Sequence, residues 1–445
     1  MNRYLRILFV LLCSSSLVTP ELVAQSREEK VREDRARFEN DRQWIYNDIS
    51  LGFQQAQATG KPLLVVLRCI PCEECVKLDD ELVDNDPAIR PLLEQFVCVR
   101  QVSTNGLDLN LFQYDTDQSF AVFMLNADGT IYGRFGTRSH RSDWLEDVSL
   151  AGMATALRGA LDLHSRFPVV KSQLAGKRGQ PLEVASPELY PSLKDQFTAS
   201  LDYEGNVAKS CIHCHQIGDA RREWYRQRGE PIPQDILYPY PHPKSIGLIL
   251  DPDQAATVKS VTADSPASLA GFQTGDQIVA LEQQPLLSIA DVQWVLDHVD
   301  PQGGTVAASV LRDGKPTQIA LNLSDGWRSS GDIRWRASTW GLRRMAAGGM
   351  VLEPATDEQR AQLNLASDQM ALRVKQVGQY GPHAAAKQAG FRQGDIIVAV
   401  GDQRANLSET DWLTYAVSNY RAGESVSVEI ERDGKKHTLQ LPMQP

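Results

Sequence analysis

The sequence lacks a basic patch: its 46 Lys and Arg stand against 56 Asp and Glu, leaving a formal charge of −10 with no concentrated cationic stretch. Phosphate backbones need such a surface, so nucleic acid is excluded as the main partner. Long apolar runs are missing as well. Nothing beyond the N-terminus approaches the roughly 18 apolar residues of a membrane helix, so no transmembrane span is expected in the mature chain. At the N-terminus, basic Asn2 to Arg6 precede the short apolar run Ile7 to Leu12, and Leu22-Val23-Ala24 offers a cleavage site before Gln25. This reads as a signal peptide over 1–24 and predicts an exported, periplasmic or otherwise extracytoplasmic protein, an uncleaved N-terminal anchor being the alternative. Cys13 follows Leu11-Leu12, where a lipoprotein signal would need a small residue, so no lipidation is expected.

Cysteine is scarce: seven occur in 445 residues, and six remain after the leader. Five of these fall in two clusters, and export makes both disulfide and thioether chemistry permissible. Length and an ordinary 42% hydrophobic content point to about three domains with adequate cores.

A charged helical lead over 25–43 has opposite signs at helical spacing and reads as solvated. From Trp44 a helix is expected around Ser50 to Thr59, closed by Gly60. Leu63 to Leu67 then reads as a buried strand, and Cys72-Glu73-Glu74-Cys75 falls at the following strand-to-helix junction. A helix N-terminus there would lower a thiol pKa. Phe96 to Val102 and Phe120 to Met124 read as strands, and Asn126 to Gly129 as a hairpin turn. Lys61-Pro62, the strand, the C-x-x-C and the late hairpin resemble the thioredoxin superfamily over 44–165. The resemblance implies an α/β domain with Cys72 and Cys75 as a catalytic thiol pair. Two departures stand out. Ser119-Phe120 replaces the superfamily's cis-proline, and Cys69 extends the motif to C-x-x-C-x-x-C, so Cys69, Cys72 and Cys75 could instead hold a transition metal or form a structural disulfide. Cys98, inside a strand, reads as a small buried side chain.

Residues 166–244 have little periodicity and read as a short irregular or helical segment. Within it, Cys211-Ile212-His213-Cys214-His215 matches the c-type haem attachment pattern. Cys211 and Cys214 would carry covalent haem c as thioethers and His215 would ligate the iron, with a disulfide or zinc site as alternatives. No methionine lies between Met153 and Met345, which leaves His242 as a weak second ligand or as part of a rigid proline-rich connector.

From Lys244 an internal repeat appears. Ala270-Gly271-Phe272-Gln273-Thr274-Gly275-Asp276 recurs as Ala389-Gly390-Phe391-Arg392-Gln393-Gly394-Asp395, an offset of 390 − 271 = 119. Arg312-Asp313-Gly314-Lys315 recurs as Arg432-Asp433-Gly434-Lys435, an offset of 432 − 312 = 120. Amphipathic helices are expected at Ser288 to Val299 and Ser408 to Asn419. The pattern resembles the PDZ family over 245–324 and 338–445, with a linker at 325–337. The resemblance implies two α+β, partly open β-barrels that bind protein or peptide C-termini as an added strand. Ser245-Ile246-Gly247-Leu248-Ile249 and Thr339-Trp340-Gly341-Leu342-Arg343 match the family's loop and strand. Ile246, Gly247, Leu248, Ile249, Val292 and Leu296 would then line the first groove, and Trp340, Gly341, Leu342, Leu413 and Val417 the second. The alternative is a groove that is unused or filled by the chain itself. The second copy is similar to PDZ domains of periplasmic trypsin-like proteases, but a Gly-x-Ser-Gly nucleophile loop is absent, so serine-protease activity is not expected.

The sequence thus predicts a multidomain exported thiol or haem redox protein, engaged in electron transfer or thiol-disulfide exchange with an unidentified redox partner. Its PDZ modules would dock clients. A non-catalytic PDZ scaffold and a metal-handling protein are the alternatives.

Overall fold

A computed structural model describes residues 26–68, 70, 86–138 and 148–445. The signal segment and Cys69, Cys72 and Cys75 lie outside the described residues.

Five strands form the first sheet: β1 (Trp44–Tyr46), β2 (Leu63–Arg68), β3 (Val97–Gln101), β4 (Gln118–Leu125) and β5 (Ile131–Arg138). Their order is β1-β3-β2-β4-β5, parallel among the first three and antiparallel for β4 and β5. Strand β2 is buried throughout, because its alternate side chains enter two different cores. Leu64 and Val66 pack with Phe120, Val122 and Met124. Leu63, Val65 and Leu67 pack on the other face with Val99, Phe123 and Leu125. Helix α1 (Arg27–Phe38) precedes the sheet, α2 (Ile49–Thr59) follows β1, and α3 (Leu150–Ser165) covers the first of those faces through Met153, Leu157 and Leu163. Asp48 caps α2 through the Leu51 N–H, and Gly60 ends it at φ 70°.

The charged lead is less solvated than its composition suggests. Val31 and Phe38 of α1 are buried, and the Glu28 carboxylate accepts from the Val207 and Ala208 N–H groups at 2.9 Å each. Arg32 donates to the Tyr203 and Gly205 carbonyls. The lead therefore clasps the segment carrying the second cysteine cluster.

That segment is mostly short turns around one longer helix, α4 (Cys214–Gln227). Behind it, β6 (Leu248–Leu250) pairs with β7 (Val258–Val261), and β8 (Gln277–Leu281), β9 (Gln284–Pro285), β10 (Gly304–Arg312) and β11 (Lys315–Leu323) form a sheet in the order β11-β10-β8-β9. Helix α5 (Ile289–Asp297) lies between β9 and β10 in the chain. The second repeat contains α6 (Thr339–Ala347), β12 (Met350–Pro354), β13 (Leu372–Val377), β14 (Ile396–Val400), α7 (Glu409–Asn419), β15 (Ser425–Arg432) and β16 (Lys435–Pro442). Its sheet runs β12-β13-β14-β15-β16 in sequence order. The described sheets stay open and none closes into a barrel.

The repeated sequence landmarks do the same work twice. Arg312 forks onto Asp276 at 2.8 and 2.7 Å and donates to the Gly271 carbonyl. Arg432 forks onto Asp395 at 2.6 and 2.7 Å and donates to the Gly390 carbonyl. Each pair ties a hairpin to the loop after a short helix, with the bidentate geometry that favours arginine.

Helix α5 departs from the expected one-sided amphipathic pattern: every residue from Ile289 to Leu296 is buried. One face enters the core of its own module, and the opposite face packs on β5 of the first sheet. Asp291 accepts from the Arg134 and Leu287 N–H groups and pairs with Lys177 at 2.9 Å. The Trp294 indole N–H donates to the Gly176 carbonyl at 2.8 Å. Linker residue Trp327 packs into this same core.

Candidate peptide-binding grooves

The groove of each repeat is bounded by an edge strand and a helix. In the first, Gly247 turns the chain at φ 85° into β6, whose Leu248 and Leu250 face Val292, Val295 and Leu296 of α5. Of the residues assigned to this groove, Ile246, Leu248, Val292 and Leu296 share one buried cluster and Gly247 is buried in the turn, whereas Ile249 alternates to the other face of β6 and is half-buried. The turn Trp327–Ser330 closes the end of the groove. Arg328 donates to the Leu296 and Asp297 carbonyls at the end of α5, while the Ser330 hydroxyl donates to the Ser245 carbonyl in the loop before β6. Both walls are thereby bridged by the chain itself.

In the second repeat the structure corrects the sequence reading. Trp340, Gly341 and Leu342 are not a loop and strand: they lie in the first turn of α6. The strand beside α7 is β12, and the turn leading into it is Gly348-Gly349, at φ 57° and 84°. Leu413 and Val417 do line this groove, in one apolar cluster with Met350 and Leu352 of β12 and Leu342, Met345 and Ala346 of α6. Helix α6 packs against both α7 and β12. Sequence reasoning also missed Glu409 and Arg343. Arg343 forks onto Glu409 at 3.0 and 2.8 Å, both side chains being buried, and Glu409 also accepts the Leu352 N–H at 2.8 Å. The available signal was the Leu342, Met345, Ala346 spacing, which is helical, followed by two glycines and an apolar run.

The second cysteine cluster is pinned beneath the first sheet. The Ile212 carbonyl accepts from the Thr104 N–H and hydroxyl, and its N–H donates to Asn105. Cys214 begins α4 and packs with Phe123 and Tyr114. Cys211 is buried, and that burial, with Cys214 nearby, pushes its thiol up to about 12. Its thiolate is thus scarce near neutral pH. Iodoacetamide labelling of Cys211 at pH 8, followed by peptide mass, should run at least ~100-fold slower in the native chain than in urea. Equal rates would contradict the buried placement. His215 is half-exposed, with Nδ1 3.9 Å from Asp219. His242 is buried and its Nδ1 accepts the Lys244 N–H at 3.1 Å, capping the turn Pro243–Ile246. Among the described residues no three of His, Cys, Asp and Glu gather as a metal-binding set. Cys98 is buried in β3 as expected, its thiol pushed up to about 12 by burial.

A cavity of about 470 Å³ lies between the first domain, α4 and the end of α5, lined in part by Phe112, Arg221, Arg222, Tyr240 and His298. Of its four carboxylates, Glu183, Asp117 and Asp297 pair with Arg221, Arg336 and Arg328, and Asp235 lines it as well.

A thioredoxin-like family model matches residues 44–127, and a PDZ domain model matches 244–323 and 356–443. Among curated proteins the chain is similar to a probable periplasmic serine endoprotease, DegP-like, of Halomonas elongata: 24% identity over 345 residues, 75% of this chain and 68% of that one. A protein of the same description from Pseudomonas savastanoi pv. phaseolicola is 28% identical over 298 residues, 64% of this chain and 58% of that one. Among solved structures, the serine endoprotease from Yersinia pestis overlays 18% of this chain and 28% of its own at TM-score 0.16 and 26% identity. An HtrA-type protease with a decapeptide overlays 32% and 49% at TM-score 0.20 and 16% identity.

The curated relatives overturn the functional expectation. They are described as serine endoproteases, so the redox, haem-cytochrome, scaffold and metal-handling readings give way, as does the exclusion of serine-protease activity drawn from the missing Gly-x-Ser-Gly. No helix among the described residues is long and apolar enough to cross a membrane. This chain carries a thioredoxin-like domain followed by two PDZ domains in tandem.

Proposed function

We propose that the chain takes up C-terminal segments of exported polypeptides through its PDZ modules and serves DegP-like serine-endoprotease turnover in the periplasm. The observation that carries this reading is the twice-built groove, in which an apolar helix wall faces an edge strand entered through a positive-φ glycine. Such an edge offers backbone hydrogen bonds to an extended chain, and the wall offers pockets to alternate side chains. The descriptions of the curated relatives support the proteolytic context and the compartment.

The test has two arms on the full chain. Fluorescence anisotropy with a labelled decapeptide ending in an apolar residue should give at least ~10-fold tighter binding for the free carboxylate than for the C-terminal amide, the size of one lost charged contact. Hydrolysis of a reduced, unfolded protein should be blocked by a serine-directed phosphonate. Absence of both carboxylate preference and inhibitor-sensitive hydrolysis would overturn the reading.

A further inference from the structure

We propose that α6 is a built-in ligand of the second PDZ groove, and that its sequence discloses what the groove accepts: an apolar segment with a basic residue that reaches Glu409. The inference deepens the proposed function and rests on it.

Three sets of contacts leave the groove engaged from within the chain. Leu342, Met345 and Ala346 are fully buried in the cluster that holds both walls of the groove, β12 and α7. The Gly349 N–H, in the turn where a terminal carboxylate is expected, is taken up by the C-terminal cap of α6, donating to the Arg343 carbonyl six residues earlier at 3.0 Å. On the edge of β12 facing α7, the Leu352 N–H donates to Glu409 and not to an added strand. Every feature that would hold a peptide is thus engaged by the chain itself.

The helix is also poorly suited to exist elsewhere. Nine residues are too few for a stable helix in water, so α6 depends on the groove for its structure. A competing chain that fills the same cluster can therefore replace it.

Glu409 gives the site its selectivity. It is 1% exposed and its fork partner Arg343 6%. Displacing α6 removes that guanidinium, so a guest must bring its own cation or leave a carboxylate buried without one. Leu352, bonded to the same carboxylate, is three residues beyond Gly349. In an antiparallel guest this places the cation near the third residue from the C-terminus.

The experiment uses the full mature chain and labelled decapeptides with an apolar C-terminal residue and Arg, norleucine or Glu at the third position from the end. Met345→Ala loosens the internal ligand and should tighten binding of the Arg peptide at least ~10-fold. In that background the Arg peptide should be preferred over the Glu peptide by at least ~10-fold, and adding Glu409→Gln should bring the preference close to unity. Hydrogen exchange should show the amides of Thr339 to Ala347 losing protection at saturating Arg peptide while those of β15 keep theirs. Unchanged affinity in Met345→Ala, or α6 amides still protected at saturation, overturns the internal-ligand proposal while leaving peptide capture intact. Failure of every peptide to bind any variant that retains the wild-type melting transition overturns both.

Discussion

Arg336→Ala should destabilise the chain by about 3–5 kcal/mol, the usual cost of stripping one partner from a buried ion pair. The Arg336 guanidinium reaches Asp115 at 2.6 Å and Asp117 at 3.1 Å, and it also donates to the Pro239 carbonyl. Asp117 further accepts the Ser338 N–H and hydroxyl at 2.7 and 2.8 Å. Both carboxylates are buried in the loop before β4, so the linker between the PDZ domains is fastened to the first domain. Burial alone would raise the Asp117 carboxyl, but Arg336, then Arg222 and Ser338, hold it below the usual carboxylate range. The stabilisation is therefore complete above the unfolded value near 3.9 and lost as pH falls through the lower folded value. In Arg336→Ala the main lowering influence is gone, burial dominates, and the carboxyl titrates higher. The gap between wild type and variant should consequently narrow on going from pH 7 to pH 4. Urea unfolding followed by tryptophan fluorescence at the two pH values measures it, and a constant gap would separate the effect from Asp117.

Gly349→Ala is expected to cost at least ~3 kcal/mol and to abolish peptide binding at the second groove. Gly349 has φ 84°, and a Cβ there would lie 2.0 Å from the His383 carbonyl oxygen. Positive φ accounts for roughly 1–2 kcal/mol of the cost in a residue with a side chain. The rest comes from the clash, since backbone and not a flexible side chain must move, and with it the 3.0 Å bond from the Gly378 N–H to the Gly349 carbonyl. Gly60→Ala is the control: Gly60 has φ 70° but nothing within 4 Å of the added carbon. It should lose only the conformational share, about 1 kcal/mol. Thermal melts of the two variants separate strain from collision, and equal losses would refute the clash.

The strands of the first sheet were legible because their side chains alternate between two apolar faces, a pattern that needs no knowledge of distant partners. The PDZ repeats were legible because turns demand particular residues: Gly271 and Gly390, Asp276 and Asp395 recur at matching places. Helix α6 was misread because Trp340-Gly341-Leu342 imitates a loop motif, while Gly348-Gly349 carries the turn. The full burial of α5 could not be read at all, since its second face meets Lys177 and Arg134, more than a hundred residues earlier. For the short cysteine motif, residue spacing suggests a chemistry, while the burial of Cys211 and Cys214 comes from residues such as Val102, Phe123 and Tyr114 of the first domain, which spacing does not disclose.

Because α5 packs in the core of its own module and also against β5, the span marked out by sequence repetition is not one that can be excised. A fragment beginning at Lys244 would carry Trp294 without the Gly176 carbonyl and Asp291 without Lys177. A formerly interior helix face would become sticky surface. The same seam restricts exchange of this repeat between proteins, since a transplanted copy would need a recipient sheet shaped like β5 to receive it.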